Sequence, residues 1–78
     1  MIVPAQIRMA RAALGISVRE LAMKAAVAQS TILRFETNKG GMQAATLDKI
    51  QLALEDEGLV FLSPDGGGGP GVRFRVPI

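Results

Sequence analysis

The stretch SVRELAMKAAVAQSTILRFE, Ser17 to Glu36, constrains this chain more than any other part of it. Ser17 followed three residues later by Glu20 is a capping box, with the hydroxyl bonding the N3 amide and the carboxylate reaching back to the N-cap amide, so a helix starts there. Val18, Leu21, Ala22 and Ala25 supply its buried face. After a tight turn, a second helix is expected from Gln29 to about Thr37, with Ile32 and Phe35 pointing inward together. The front edge of that helix is small and polar (Gln29, Ser30, Thr31), and Arg34 follows one turn later. The turn holds Ala25 and Ala26, where a glycine would turn more easily.

The flanking segments read as further helices. Pro4 suits the first position of a helix, where its missing N–H costs nothing. Ile7, Ala10 and Leu14 then form a narrow apolar stripe flanked by Arg8 and Arg11, and Gly15 ends the helix, giving helix 1 over about residues 4–14. Asn38, Lys39, Gly40 and Gly41 break the chain. Helix 4 is expected from about Ala44 to Glu57, with Leu47, Ile50, Ala53 and Leu54 inward and Gly58 closing it. The period then changes. LVFL (59–62) is a short apolar run suited to a strand, and VRFRV (72–76) alternates, with Val72, Phe74 and Val76 on one face and Arg73 and Arg75 on the other. Between them, SPDGGGGPG reads as a flexible linker that does not specify a tight hairpin, and no lysine follows its glycines as a phosphate loop would require. The strands pair within one chain or across a dimer, and the second arrangement is favoured because an exposed apolar edge this small is a pairing site.

Composition removes whole classes of function. The 78 residues include no cysteine and no histidine, so disulfides, the usual zinc ligands and His- or Cys-based catalysis are not available. No two carboxylates stand in an obviously protected setting. Neither an enzyme nor a bound cofactor or metal is expected. A chain this short buries a modest core, and homo-oligomerisation is the simplest way to bury more. No apolar run approaches the roughly 20 residues that span a bilayer, and arginines occupy the place of a signal peptide's apolar centre, so a cytoplasmic protein is expected. Charge is uneven. Through residue 39 there are six basic and two acidic side chains, net +4; from residue 40 onward there are three and five, net −2. A basic front half suits a polyanion-binding surface.

At several positions in register the chain resembles the XRE/Cro–C1 helix-turn-helix family of phage repressors and bacterial regulators. The residues that carry the likeness are IRMARAALGIS in helix 1, SVRELAMKA in helix 2 and STILRFE in helix 3. The family's late helix-1 arginine falls on Arg11. Its Ser-x-x-Glu-Leu-Ala falls on Ser17, Glu20, Leu21 and Ala22, and its Thr-Ile-x-Arg-x-Glu on Thr31, Ile32, Arg34 and Glu36. The segment ATLDKIQLALEDEGLVF is similar to the fourth helix and exit of a short branch with a Gly/Pro-rich loop and an Arg-bearing C-terminal strand. The resemblance implies a mainly α fold: a four-helix lambda-repressor-like helix-turn-helix domain over residues 4–57, followed by a short C-terminal β tail over residues 58–78 that serves dimerisation or a partner. Two positions depart from the family, Ala26 where the turn usually has glycine and Ala28 where a Ser or Thr usually caps helix 3.

In such a motif helix 3 lies in the major groove. Gln29, Ser30 and Arg34 match the base-facing positions, and their chemistry agrees, because glutamine grips adenine, arginine grips guanine and serine is permissive. Leu33 beside them either touches a thymine methyl or packs at a helix or dimer edge. Backbone contacts are expected from the helix-2 start at Ser17 and Val18 and from Arg19, Thr31 and Lys39, with Lys24 within reach of the same strand. The resemblance implies that Arg11 and Glu36 form a structural ion pair. The partners expected are double-stranded DNA, a second copy of the chain and, through the tail, a possible protein. The function expected is a sequence-specific transcriptional regulator that represses at a palindromic operator as a homodimer. The alternative is an antitoxin or protein-interaction module that binds a partner through its tail and autoregulates its operon.

Overall fold

Helix α1 (Pro4–Leu14) begins where proline's fixed φ favours a first turn, and it ends at Gly15 in the left-handed conformation, φ 68°. The amides of Gly15 and Ile16 turn back to the carbonyls of Ala12 and Arg11 at 3.2 and 3.1 Å, which closes the helix. This computed structural model describes residues 2–77. Helix α2 (Val18–Ala25) starts on the Ser17–Glu20 capping box: Ser17 Oγ accepts from the Glu20 amide at 3.0 Å, and Glu20 Oε1 accepts from the Ser17 amide at 3.2 Å. Helices α3 (Gln29–Glu36) and α4 (Ala44–Asp56) and strands β1 (Leu59–Leu62) and β2 (Gly71–Phe74) complete the chain.

The core draws on every helix and on the tail. Ile7, Leu21, Ile32, Ile50 and Leu54 have no exposed surface, and Leu59 of β1 is buried among them. Phe61, Val72 and Phe74 pack against the same cluster from the hairpin, and Leu14, Val18 and Phe35 pack against it from the helices. This is a mainly α fold of four helices with a short β tail, as expected from the sequence.

Four details differ from the expectation. The two strands pair antiparallel within one chain, Leu59 opposite Phe74 and Leu62 opposite Gly71. The glycine-rich connection is not featureless: Asp65 and Gly68 exchange backbone bonds of 2.9 and 3.3 Å, and Asp65 Oδ1 accepts from the Gly67 amide at 2.7 Å. An Asp side chain that bonds the backbone two residues on builds a turn by itself. The second strand ends at Phe74, so Val76 leaves the inward face and is 65% exposed. Its ladder runs out because the last bond, Arg75 N–H to Gly58 C=O at 2.7 Å, meets the end of α4. Finally, α3 and α4 each stop one residue early, with Thr37 and Glu57 as their C-caps.

Gln6 joins the two parts of the molecule. Its Oε1 accepts from the Val3 amide at 2.8 Å, and its Nε2 donates to the carbonyls of Leu62 and Gly71, each at 3.0 Å. These carbonyls belong to the last rung of the hairpin. Both donor hydrogens of the buried amide hold the tail against α1, while its oxygen takes a bond at the head of the helix.

Candidate nucleic-acid interface

Helix α3 presents two unlike sides. Ile32 and Glu36 are buried and Phe35 is half-buried, whereas Gln29, Ser30, Leu33 and Arg34 are exposed. Positions 29, 30, 33 and 34 follow the i, i+1, i+4, i+5 pattern of one continuous helix face. The candidate base-reading residues therefore share a solvent-facing strip, with Leu33, 51% exposed, in the middle of it. Leu33 is not among the side chains packed on the core. Thr31 lies at the border of the strip, half-buried.

The start of α3 is lightly held. Its N-cap, Ala28, has no side-chain oxygen to offer, and the preceding turn puts Ala26 at φ 56° in the left-handed region. Alanine there costs about 1–2 kcal/mol relative to an unstrained backbone. The other end is firmly held. Arg11 Nε and Nη2 meet Glu36 Oε2 and Oε1, both at 2.7 Å, and Arg11 Nη1 donates to the Ile16 carbonyl at 3.2 Å. Glu36 is 3% exposed on its side chain and Arg11 23%. The hydrogen bond and charge of Glu36 hold the Arg11 guanidinium above its ordinary pKa, against the opposing effect of burial. Arg8, one turn earlier on α1, donates from Nη1 to the Glu36 carbonyl. Sequence reasoning assigned Arg8 no role, although its three-residue spacing from Arg11 puts both on one side of the helix.

The remaining positions lie around this strip. Ser17, Arg19 and Lys39 are exposed and Val18 is half-buried. At the start of α2 the Glu20 and Leu21 amides are bonded to Ser17, through its hydroxyl and its carbonyl at 3.0 Å each. The Val18 and Arg19 amides precede the first intrahelical bonds and point out of the helix end. Lys24 does not belong with this group. Its Nζ pairs with Glu57 Oε1 at 2.8 Å and ties α2 to the end of α4. That bond raises the Lys24 pKa above the ordinary lysine value. Lys24 was grouped from sequence with the phosphate-facing cations; the acidic end of α4 claims it instead.

Arg34 occupies a particular place. Its guanidinium lies against Gly40 in the loop after α3, where a β-carbon would stand 3.0 Å from Nη2. Gly40 leaves room for the side chain at that point. Among the described residues, ion pairs take up Arg11 and Lys24, leaving Arg8, Arg19, Arg34 and Lys39 as the unneutralised charges of the basic front half.

A wide, open hollow of about 480 Å3 runs along the end of β2, lined by Arg73, Phe74, Arg75, Val76 and Pro77. A hollow of about 160 Å3 between the start of α1 and the hairpin has no charged residue in its lining. Ordinary ligand pockets are larger, roughly 300–1,000 Å3. Among the described residues no group of three or more His, Cys, Asp or Glu is placed to hold a metal ion, and no helix is long and apolar enough to cross a membrane. In comparison with known proteins, the helix-turn-helix family model matches residues 7–55, from the middle of α1 to the end of α4. No curated protein matches the chain at a significant level.

Proposed function

The chain belongs to the XRE-type helix-turn-helix family of DNA-binding transcription regulators, and from that premise we propose that it represses transcription as a homodimer on a palindromic operator. The observation that carries the proposal is the exposed strip on α3: Gln29, Ser30 and Arg34 face solvent while Ile32 and Glu36 fix the opposite side. Gln29 reads adenine through N6 and N7, Arg34 reads guanine through O6 and N7, and Ser30 adapts to either. Leu33 lies against a thymine methyl. Ser17 and Val18 at the start of α2, together with Arg19, Thr31 and Lys39, contact phosphates and set the register of docking.

Length supports the dimer. Eight residues of α-helix span about 12 Å, enough to read only a few base pairs. One such helix recognises too little sequence to single out a site in a genome, and a second copy doubles the reading. Residues 4–57 act as the reading domain. The tail that follows, whose hairpin of β1 and β2 is held by Gln6, is the element that meets the second copy.

Selection of bound sequences from a random pool of double-stranded DNA tests the proposal. The expected result is a palindrome with half-sites about one helical turn apart, roughly 10 base pairs. A single unrepeated motif would remove the dimer, and no enrichment would remove sequence-specific binding.

A further inference from the structure

We propose that Arg8 is a positioning residue that sets the direction of the recognition helix α3 by holding its last carbonyl; the inference rests on the reading of α3 as the groove-binding element.

The last four carbonyls of a helix have no partner within it. In α3 three of them are met locally. Leu33 C=O accepts from the Thr37 amide and hydroxyl at 3.1 and 2.8 Å, Arg34 C=O from the Lys39 amide at 2.8 Å, and Phe35 C=O from the Asn38 amide at 3.1 Å. The fourth, Glu36 C=O, accepts from Arg8, which stands 28 residues earlier in the chain. A cation at that point also faces the negative end of the helix dipole.

The two arginines on α1 hold Glu36 differently. Arg11 grips the carboxylate, and three rotatable bonds separate that carboxylate from the backbone. Such a link holds the side chain directly and the backbone only through it. Arg8 grips the carbonyl, which is part of the backbone and points along the helix axis. Tilting α3 swings that carbonyl away from Arg8. Arg11 therefore fixes where the end of the helix sits, and Arg8 fixes which way it points.

The opposite end depends on this hold because Ala28 provides no side-chain cap. Gln29 stands about 10 Å along the axis from Glu36, so a tilt of about 10° moves it by roughly 2 Å. That displacement exceeds what a bidentate base contact tolerates.

The test compares Arg8→Ala and Arg8→Lys with the unaltered chain. Two readouts are used: binding to the selected operator and to random DNA over a salt series, and the carbonyl-carbon resonance of Glu36 in the DNA-free protein. For Arg8→Ala the expected result is a loss of operator affinity over random DNA of about tenfold, with an unchanged salt slope and a shifted Glu36 resonance. Arg8→Lys keeps a donor and restores part of both. If the salt slope instead falls by about one while the operator preference is kept, Arg8 is a phosphate contact and the inference is overturned. Unchanged preference overturns it as well. If the unaltered chain selects no operator, the functional reading fails on its own, and the Glu36 resonance still decides: no shift in Arg8→Ala overturns the contact.

Discussion

Arg11 and Glu36 meet through two parallel bonds of 2.7 Å, Nε to Oε2 and Nη2 to Oε1, with the carboxylate 3% exposed. Removing one partner of a buried pair leaves the other charge without compensation. Arg11→Ala is expected to destabilise the fold by roughly 3 kcal/mol. Glu36→Gln, which removes the buried charge itself, should cost less. Replacing both by apolar residues, Arg11→Met with Glu36→Leu, should recover most of the loss. Urea denaturation of the three variants checks the order. Because Glu36 raises the Arg11 pKa, the part of the stability linked to the Arg11 proton is fully present at neutral pH and is lost in strong alkali, as pH rises through the folded-state value.

Gln6 should matter as much as a core aliphatic. Its three bonds reach Val3, Leu62 and Gly71, and it is 3% exposed. Gln6→Ala leaves two buried carbonyls without a donor, with an expected cost of about 2–4 kcal/mol. Gln6→Glu should be worse at neutral pH, since it points a carboxylate at two carbonyls. Amide exchange of β1 and β2 measures the effect where it arises: exchange of the hairpin should accelerate more than that of α3. Equal acceleration everywhere would mean that Gln6 acts only through global stability.

The turn and the start of α3 can be improved. Ala26→Gly relieves the left-handed strain at φ 56° and gives back part of the gain through glycine's larger unfolded-state entropy, for a net stabilisation of about 0.5–1 kcal/mol. Ala28→Ser supplies the missing cap and should add about 1 kcal/mol. Thermal unfolding should show higher midpoints for both, and for the double variant a shift beyond either alone.

Base readers and phosphate contacts should separate in salt. Arg34→Ala or Gln29→Ala is expected to lose about 1–3 kcal/mol on the selected operator and little on random DNA. Lys39→Ala should weaken binding on all sequences and reduce the salt slope by about one unit. Equal losses on operator and random DNA for Arg34→Ala would remove it from the base-reading set.

Gly40 gives a subtler test. A β-carbon at residue 40 would meet the Arg34 guanidinium at 3.0 Å, and the far end of an arginine can move aside. Gly40→Ala should therefore leave the unfolding midpoint nearly unchanged while altering base preference at the position that Arg34 reads. A variant library selected against the operator flanks would show this as a change at one base pair per half-site.

Several of these features were open to a reader of the sequence and others were not, and the difference follows sequence distance. The Ser17–Glu20 box, Pro4 at the head of α1 and Gly15 at its end act through bonds spanning a few residues, so residue type at that spacing specifies them. The apolar periods of α1 to α4 are local in the same sense. The contacts of Gln6 cross 56 and 65 residues, and that of Arg8 crosses 28. Nothing in the neighbourhood of Gln6 marks it as buried, since a polar residue in the first turn of a helix ordinarily faces water.

The sequence by itself determined the four helices, the two strands and the polar outer edge of α3, because capping, periodicity and residue type act locally. Only the tertiary structure decided that the strands close on each other within one chain, that Val76 leaves the sheet, that Lys24 pairs with Glu57 and that Arg8 and Gln6 tie distant segments together. The contacts of Gln6 and Arg8 satisfy buried or helix-terminal backbone carbonyls, and the partner of such a group comes from whatever the fold brings near.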